Sequence, residues 1–107
     1  MSFYTVSQLP STTPMPGLTR RSVYLDNLML TFFEFEPGAV IPEHQHPHEQ
    51  ITLVLEGEMV FTLGGKTQIL HPGDGVTVPP NIPHGAVMKN QFTRAVDAWH
   101  PVREDYK

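Results

Sequence analysis

Glycine and proline break this chain into short pieces. They fall at Pro37-Gly38, Pro42, Gly57, Gly64-Gly65, Pro72-Gly73, Pro79-Pro80 and Pro83, and the segments between them are rich in Val, Ile, Leu, Phe, Tyr and Thr. With 8 Gly and 11 Pro in 107 residues, no window of helical period survives outside the loops. Turn residues recurring every ~8–12 positions between β-rich segments are the pattern of an all-β sandwich or barrel.

The strands can be read from that punctuation. Ser22–Leu25 and Leu28–Glu36 flank an Asp26-Asn27 turn. Both faces of Leu28–Phe35 are apolar, which places that strand in a sandwich or at an interface. Ile51–Leu55 closes at Glu56-Gly57, and in Glu58–Leu63 the residues Met59, Phe61 and Leu63 share one face. Gly64-Gly65 is a two-residue hairpin turn into Lys66–Leu70. Strands at Val76–Val78, His84–Met88 and Phe92–Trp99 follow, for about nine or ten in all. Residues 1–19 form an extended arm with one short strand at Phe3–Gln8, and residues 20–107 make a single domain. So many short strands favour a closed barrel or double sheet, which removes exposed edges.

Composition narrows the chemistry. There are no cysteines, so a thiol nucleophile, a thiolate zinc site and a disulfide framework are all excluded. A net charge of −4 argues against a nucleic-acid backbone as partner. Apolar runs are far shorter than the ~18 residues of a membrane span, and no charged-then-apolar leader opens the chain. The expectation is a cytoplasmic protein with neither a membrane nor a nucleic-acid partner.

What remains is histidine. Five of the six are adjacent to a proline, and three crowd into Glu43-His44-Gln45-His46-Pro47-His48-Glu49-Gln50. On an extended segment the rings of His44 and His46 leave the same face, which makes half of a metal site. A solvated polar loop is the competing reading of that spacing alone.

The wider spacing resembles the cupin superfamily. Gly38, five residues, His44-Gln45-His46, three residues, Gln50, six residues and Gly57 fit its first motif, with Gln50 where Glu is usual. Gly73, five residues, Pro79, four residues and His84 fit the second, with Asn81 for Gly and Met88 for Asn. The resemblance implies a double-stranded β-helix, a jelly-roll barrel, holding one divalent transition metal ion (nickel, zinc, manganese or iron) on His44, His46, Gln50 and His84. Glu49, or three histidines with water, are the alternatives to Gln50. Strand parity favours Gln50, because Glu49 would point the other way. His48 reads as a rim residue; His71 and His100 fall on no motif position. Three imidazoles and a neutral amide leave the charge of the ion uncompensated, which suits Lewis-acid work better than redox chemistry.

Ala95, Asp97 and Trp99 share a face of the last long strand, and Arg103 follows. A carboxylate, a large aromatic ring and a guanidinium together suit a sugar-acid pocket, although each also has an ordinary structural use. The run from Asp97 to Tyr106 resembles the Asp-x-Phe-x-Pro-x-Arg-Glu-Asp-aromatic ending of small cupins. Among these are the pectin-degradation cupins that linearise 4,5-unsaturated uronates. That resemblance implies Asp97 as the proton-moving residue, with Trp99 and Arg103 binding a sugar acid. Small cupins commonly dimerise, and the extended arm before Gly17 and the two-faced apolar strand Leu28–Phe35 suit a homodimer. The alternatives are a small cupin dioxygenase acting on a diketone or flavonoid, and a non-catalytic sugar- or metal-binding cupin.

Overall fold

The computed structural model describes residues 2–107. Ten strands account for nearly all the regular structure: β1 Thr12–Met15, β2 Leu18–Tyr24, β3 Met29–Phe35, β4 Val40–His44, β5 Glu49–Glu56, β6 Met59–Leu63, β7 Lys66–Leu70, β8 Gly75–Val78, β9 His84–Val87 and β10 Thr93–His100. The only helical pieces among the described residues are single 3-10 turns at Val6–Gln8 and Glu104–Tyr106. None is long and apolar enough to cross a membrane.

The strands form two antiparallel sheets, one ordered β1-β2-β3-β10-β5-β8 and the other β4-β9-β6-β7. They face each other as a jelly roll, and the core lies between them. Local chemistry explains the connections. Gly64 and Gly65 both have positive φ, as a tight hairpin between β6 and β7 requires. Gly57 combines φ +81° with close approach to the backbone of residues 92–93, and a Cβ there would stand 2.3 Å from the Phe92 carbonyl oxygen.

One expectation is corrected. Phe3–Gln8 is not a strand: Val6–Gln8 is a 3-10 turn, and the strand of this segment lies further on, at β1. The proline-rich stretch from Pro10 leaves the chain extended beside β2, where Thr12 faces Arg20 and Met15 faces Leu18.

Register orders the inner face of the larger sheet into rows. Arg20, Phe33, Ala95 and Val54 lie side by side on β2, β3, β10 and β5. The next row holds Ser22, Thr31, Asp97 and Thr52, and the one beyond it Met29, Trp99, Gln50 and Val78. Across the barrel, Met59 and Phe61 of β6 meet the apolar row and belong to the same cluster as Phe35 and Val54. The strand β3 buries one face fully, with Met29, Thr31, Phe33 and Phe35 pointing inward, while on its other face Leu30 is exposed and Phe32 is half-buried.

Candidate metal centre and cavity

Three histidines from two strands of the smaller sheet and the loop between the sheets converge. His44 ends β4, His84 begins β9 directly opposite it, and His46 lies in the loop before β5. One ring nitrogen from each lies within 4.8 Å of the others. Asn81 holds the loop against them, donating its backbone N–H to the His46 carbonyl at 2.8 Å. Its φ of 64° is left-handed, a conformation that asparagine tolerates better than most side chains and that explains Asn where glycine is usual.

The ring orientations are set by the backbone. Nδ1 of His44 donates to the Pro42 carbonyl (3.0 Å), that of His46 to His48 (3.1 Å) and that of His84 to Ile82 (2.8 Å). A carbonyl only accepts, so each Nδ1 carries the proton and each neutral ring presents an Nε2 lone pair. Burial depresses the pKa of His46 and of His84, and the positive charge of Arg103 adds to both effects. Neutral imidazole is the ligand form.

Two features fit a cation. The Nε2 of His84 is buried and has no hydrogen-bond partner. The Nε2 of His46 faces the Gln50 Oε1 at 2.9 Å, while the amide nitrogen of Gln50 donates to Thr52 (2.9 Å) and Asp97 (3.3 Å). Two lone-pair acceptors therefore confront each other, an arrangement that a shared cation relieves. Gln50 is buried and points inward; Glu49 is exposed and sits opposite His100 on the outer face.

Asp97 lies behind Gln50. Thr52 donates its hydroxyl to Asp97 Oδ1 at 2.6 Å. Burial pushes the Asp97 carboxyl up to about 7, against the opposing pull of the Thr52 hydroxyl and the Arg103 charge. Trp99 is buried beside it, donating Nε1–H to Thr31 at 3.1 Å, with its ring edge-on to His46 at 5.1 Å. The ring of Phe61 stacks on His84, so the apolar core and the histidine cluster touch.

A cavity of ≈ 320 Å³ opens between the sheets, lined by His44, His84, Gln50, Asp97 and Trp99 among others. Arg103 does not line it. Its guanidinium stacks on Trp99 (4.8 Å) and Tyr106 (4.1 Å), and its Nε and Nη2 donate to the two oxygens of Asp105 at 3.1 and 2.9 Å. In this structure Arg103 thus grips Asp105 in two-point contact, which holds Asp105 below the usual carboxylate range. Its Nη1 is buried without a partner, and its charge acts on Asp97, His46 and His84. His48 is half-buried, 5.6 Å from the His46 ring. His71 is exposed, within 3.5 Å of Glu58 and Asp74, and His100 is exposed as well.

The structure brings to this region four residues that the sequence did not single out. Arg20 and Tyr106 line the cavity. Thr52 and Thr31 tie the polar row together. Period-two alternation along β5 places Thr52 on the inner face with Gln50 and Val54 but does not show what it bonds, and β2 carries no such alternation to single out Arg20.

A double-sheet β-barrel with three convergent histidines and a buried carboxylate in its cavity defines a class: small β-barrels whose interior carries a cluster of side chains able to hold a metal ion. Residues 31–96 match the family model described as a cupin domain, and the chain belongs to the cupin family. It is similar in structure to an RmlC-like cupin from Shewanella frigidimarina, with a TM-score of 0.94 at 31% identity, covering 100% of this chain and 96% of that one. It is likewise similar to KdgF from a Halomonas species, with a TM-score of 0.92 at 33% identity, covering 98% and 97%. Among curated proteins, the H2HPP isomerase of Bacillus subtilis is 39% identical over 51 residues, which are 47% of this chain and 22% of that protein. The chain spans less than half the length of the curated relatives it matches.

Proposed function

We propose that this cupin is a metal-dependent isomerase that opens the ring of a 4,5-unsaturated uronate to its linear keto acid. The observation that carries this reading is the placement of a buried carboxylate, Asp97, in a cavity shared with His44, His84, Gln50 and Trp99. The similarity to KdgF along nearly the whole chain supports it.

In such a substrate the C4–C5 double bond carries both the ring oxygen and the carboxylate. Ring opening converts the anomeric C1–OH to a carbonyl and leaves an enol, which must then gain a proton at C4. Asp97 takes the proton from the anomeric hydroxyl and delivers one to carbon; the Thr52 hydroxyl and the Gln50 amide hold its two oxygens in place. Trp99, fixed by Thr31, packs against the sugar and excludes water. His44, His46, Gln50 and His84 would hold a divalent first-row ion, which would supply Lewis acidity.

The test is to incubate metal-loaded protein with a monomeric 4,5-unsaturated galacturonate. The expected result is loss of the absorbance of its conjugated double bond with no uptake of oxygen. Stoichiometric oxygen consumption would assign the chain to the dioxygenases instead, and binding without turnover to the non-catalytic cupins.

The chain's assembly is part of the same proposal. Ile51, Leu53 and Leu55 alternate outward along β5 and are exposed, and Leu30 of β3 is exposed on the same outer face. An apolar strip on the outer face of a sheet suits a second copy of the chain. Light scattering at micromolar concentration should give twice the chain mass, and Leu53→Lys should return a monomer.

A further inference from the structure

This inference rests on the reading of the cavity as a sugar-acid site and names the group that reads the acid. Arg21, Arg94 and Arg103 each stand beside a carboxylate: Glu34, Glu34 and Glu56, and Asp105. Arg20 is the only arginine of the chain with no ion pair among the described residues. It is also the only one that lines the cavity. Its Nε is buried and has no hydrogen-bond partner. Arg21 Nε and Arg103 Nη1 are orphaned as well, and the Arg20 charge acts on Asp105. What sets Arg20 apart is an unspent donor on a guanidinium that has no paired carboxylate and lines the cavity.

The fold explains why it is held there. Arg20 is an inward residue of β2, opposite Phe33, one row from Asp97 and two strands away. With strands ~4.8 Å apart and ~3.3 Å per residue, the two Cα atoms are on the order of 12 Å apart, a gap that an arginine side chain and a sugar ring fill together. The guanidinium lies 4.0 Å over the ring of Tyr106, which Arg103 also covers. Stacking fixes the plane of the fork and leaves its edges available for in-plane hydrogen bonds. The other charged side chains lining the cavity are Glu43, exposed on β4, and Asp97 and the histidines.

We propose that Arg20 is the carboxylate-binding residue of this cavity, receiving the acid group of the ligand in two-point contact while Arg103 braces Trp99 and Tyr106 from behind. Tyr106 is then the platform on which both guanidinium groups are set.

Calorimetric titration of metal-loaded full-length protein with D-galacturonate and with its neutral methyl ester tests this. The wild-type chain should bind the acid tighter than the ester, on the order of 10–100-fold for a charge-assisted pair. Arg20→Met keeps the packing of the stem and should erase that preference with metal content unchanged. Arg103→Met should retain it. Should Arg20→Met not fold, Arg20→Lys keeps the charge but not the fork, and should leave an intermediate preference. A wild-type chain that binds acid and ester equally, or neither, overturns the proposal, as does an Arg20 variant with the full preference. A chain that prefers the acid through Arg20 yet leaves an unsaturated uronate unchanged removes the isomerase reading and keeps this one.

Discussion

Rows two residues apart on the inner face of the larger sheet are held by different forces. Toward one end, Leu18, Phe35, Phe33, Ala95 and Val54 meet Met59 and Phe61 across the barrel and form a buried apolar cluster. Toward the other, Ser22, Thr31, Trp99, Asp97, Thr52 and Gln50 are linked by hydrogen bonds of 2.6–3.3 Å. Apolar contacts are non-directional and scale with area, so the first end tolerates exchange of one side chain for another of similar volume. In the second end each polar atom depends on one or two named neighbours, and losing one leaves a buried group short of a partner. The same β-strands thus carry a permissive half and an exacting half.

The sharpest break between them is His46→Ala. It should abolish stoichiometric metal binding, measured by elemental analysis, while the metal-free variant melts within a few degrees of the wild type. Unchanged metal content would sink the ligand assignment.

Asp97→Asn comes next and should move function and stability in opposite directions. Turnover of an unsaturated uronate should fall on the order of 10²–10⁴-fold with metal retained. In the metal-free protein the sign follows from the raised pKa. The folded state holds the Asp97 proton up to about 7, so folding stability falls as pH rises from the ordinary carboxylate value toward that point and stays lowered above it. Asparagine has no charge to desolvate, and at pH 8 the variant should be more stable by about 1 kcal/mol in urea titration. Equal stability would show that the buried charge costs the fold nothing.

The smallest effect compares two near-isosteric exchanges. Thr52→Val deprives Asp97 of its shortest hydrogen bond, and should cost ~1–3 kcal/mol and lower turnover. Met59→Leu in the apolar end should cost under ~1.5 kcal/mol and leave turnover alone. Equal losses in both would erase the distinction between the halves.

The apolar half was the more legible in sequence. Turn residues and period-two alternation place Met59 and Phe61 on one face without knowledge of any partner, because burial asks only that a side chain be apolar and point inward. Histidine spacing is similarly local: His44 and His46 share a face by strand parity, and the same parity separates Gln50 from Glu49. The polar row is another matter. Threonine is an ordinary β-former, so nothing in a strand marks Thr31 or Thr52 as a hydrogen-bonding partner until Trp99 and Asp97 arrive from the far end of the chain. Arg20 was hidden for the same reason, since its neighbour Tyr106 is almost the last residue. The segment Phe3–Gln8 has β-like composition but lacks a neighbouring strand edge, and three of its residues close into a 3-10 turn.

Each histidine of the cluster is steered by a carbonyl only two residues away in its own segment. The aim of all three rings is consequently written into the loops and is complete once those loops are folded. An ion arriving at such a cluster has little chain left to order, and the conformational entropy of assembling the ligands is spent during folding. Loading and exchanging first-row ions would then take place on a standing scaffold, and ion availability would decide the occupant.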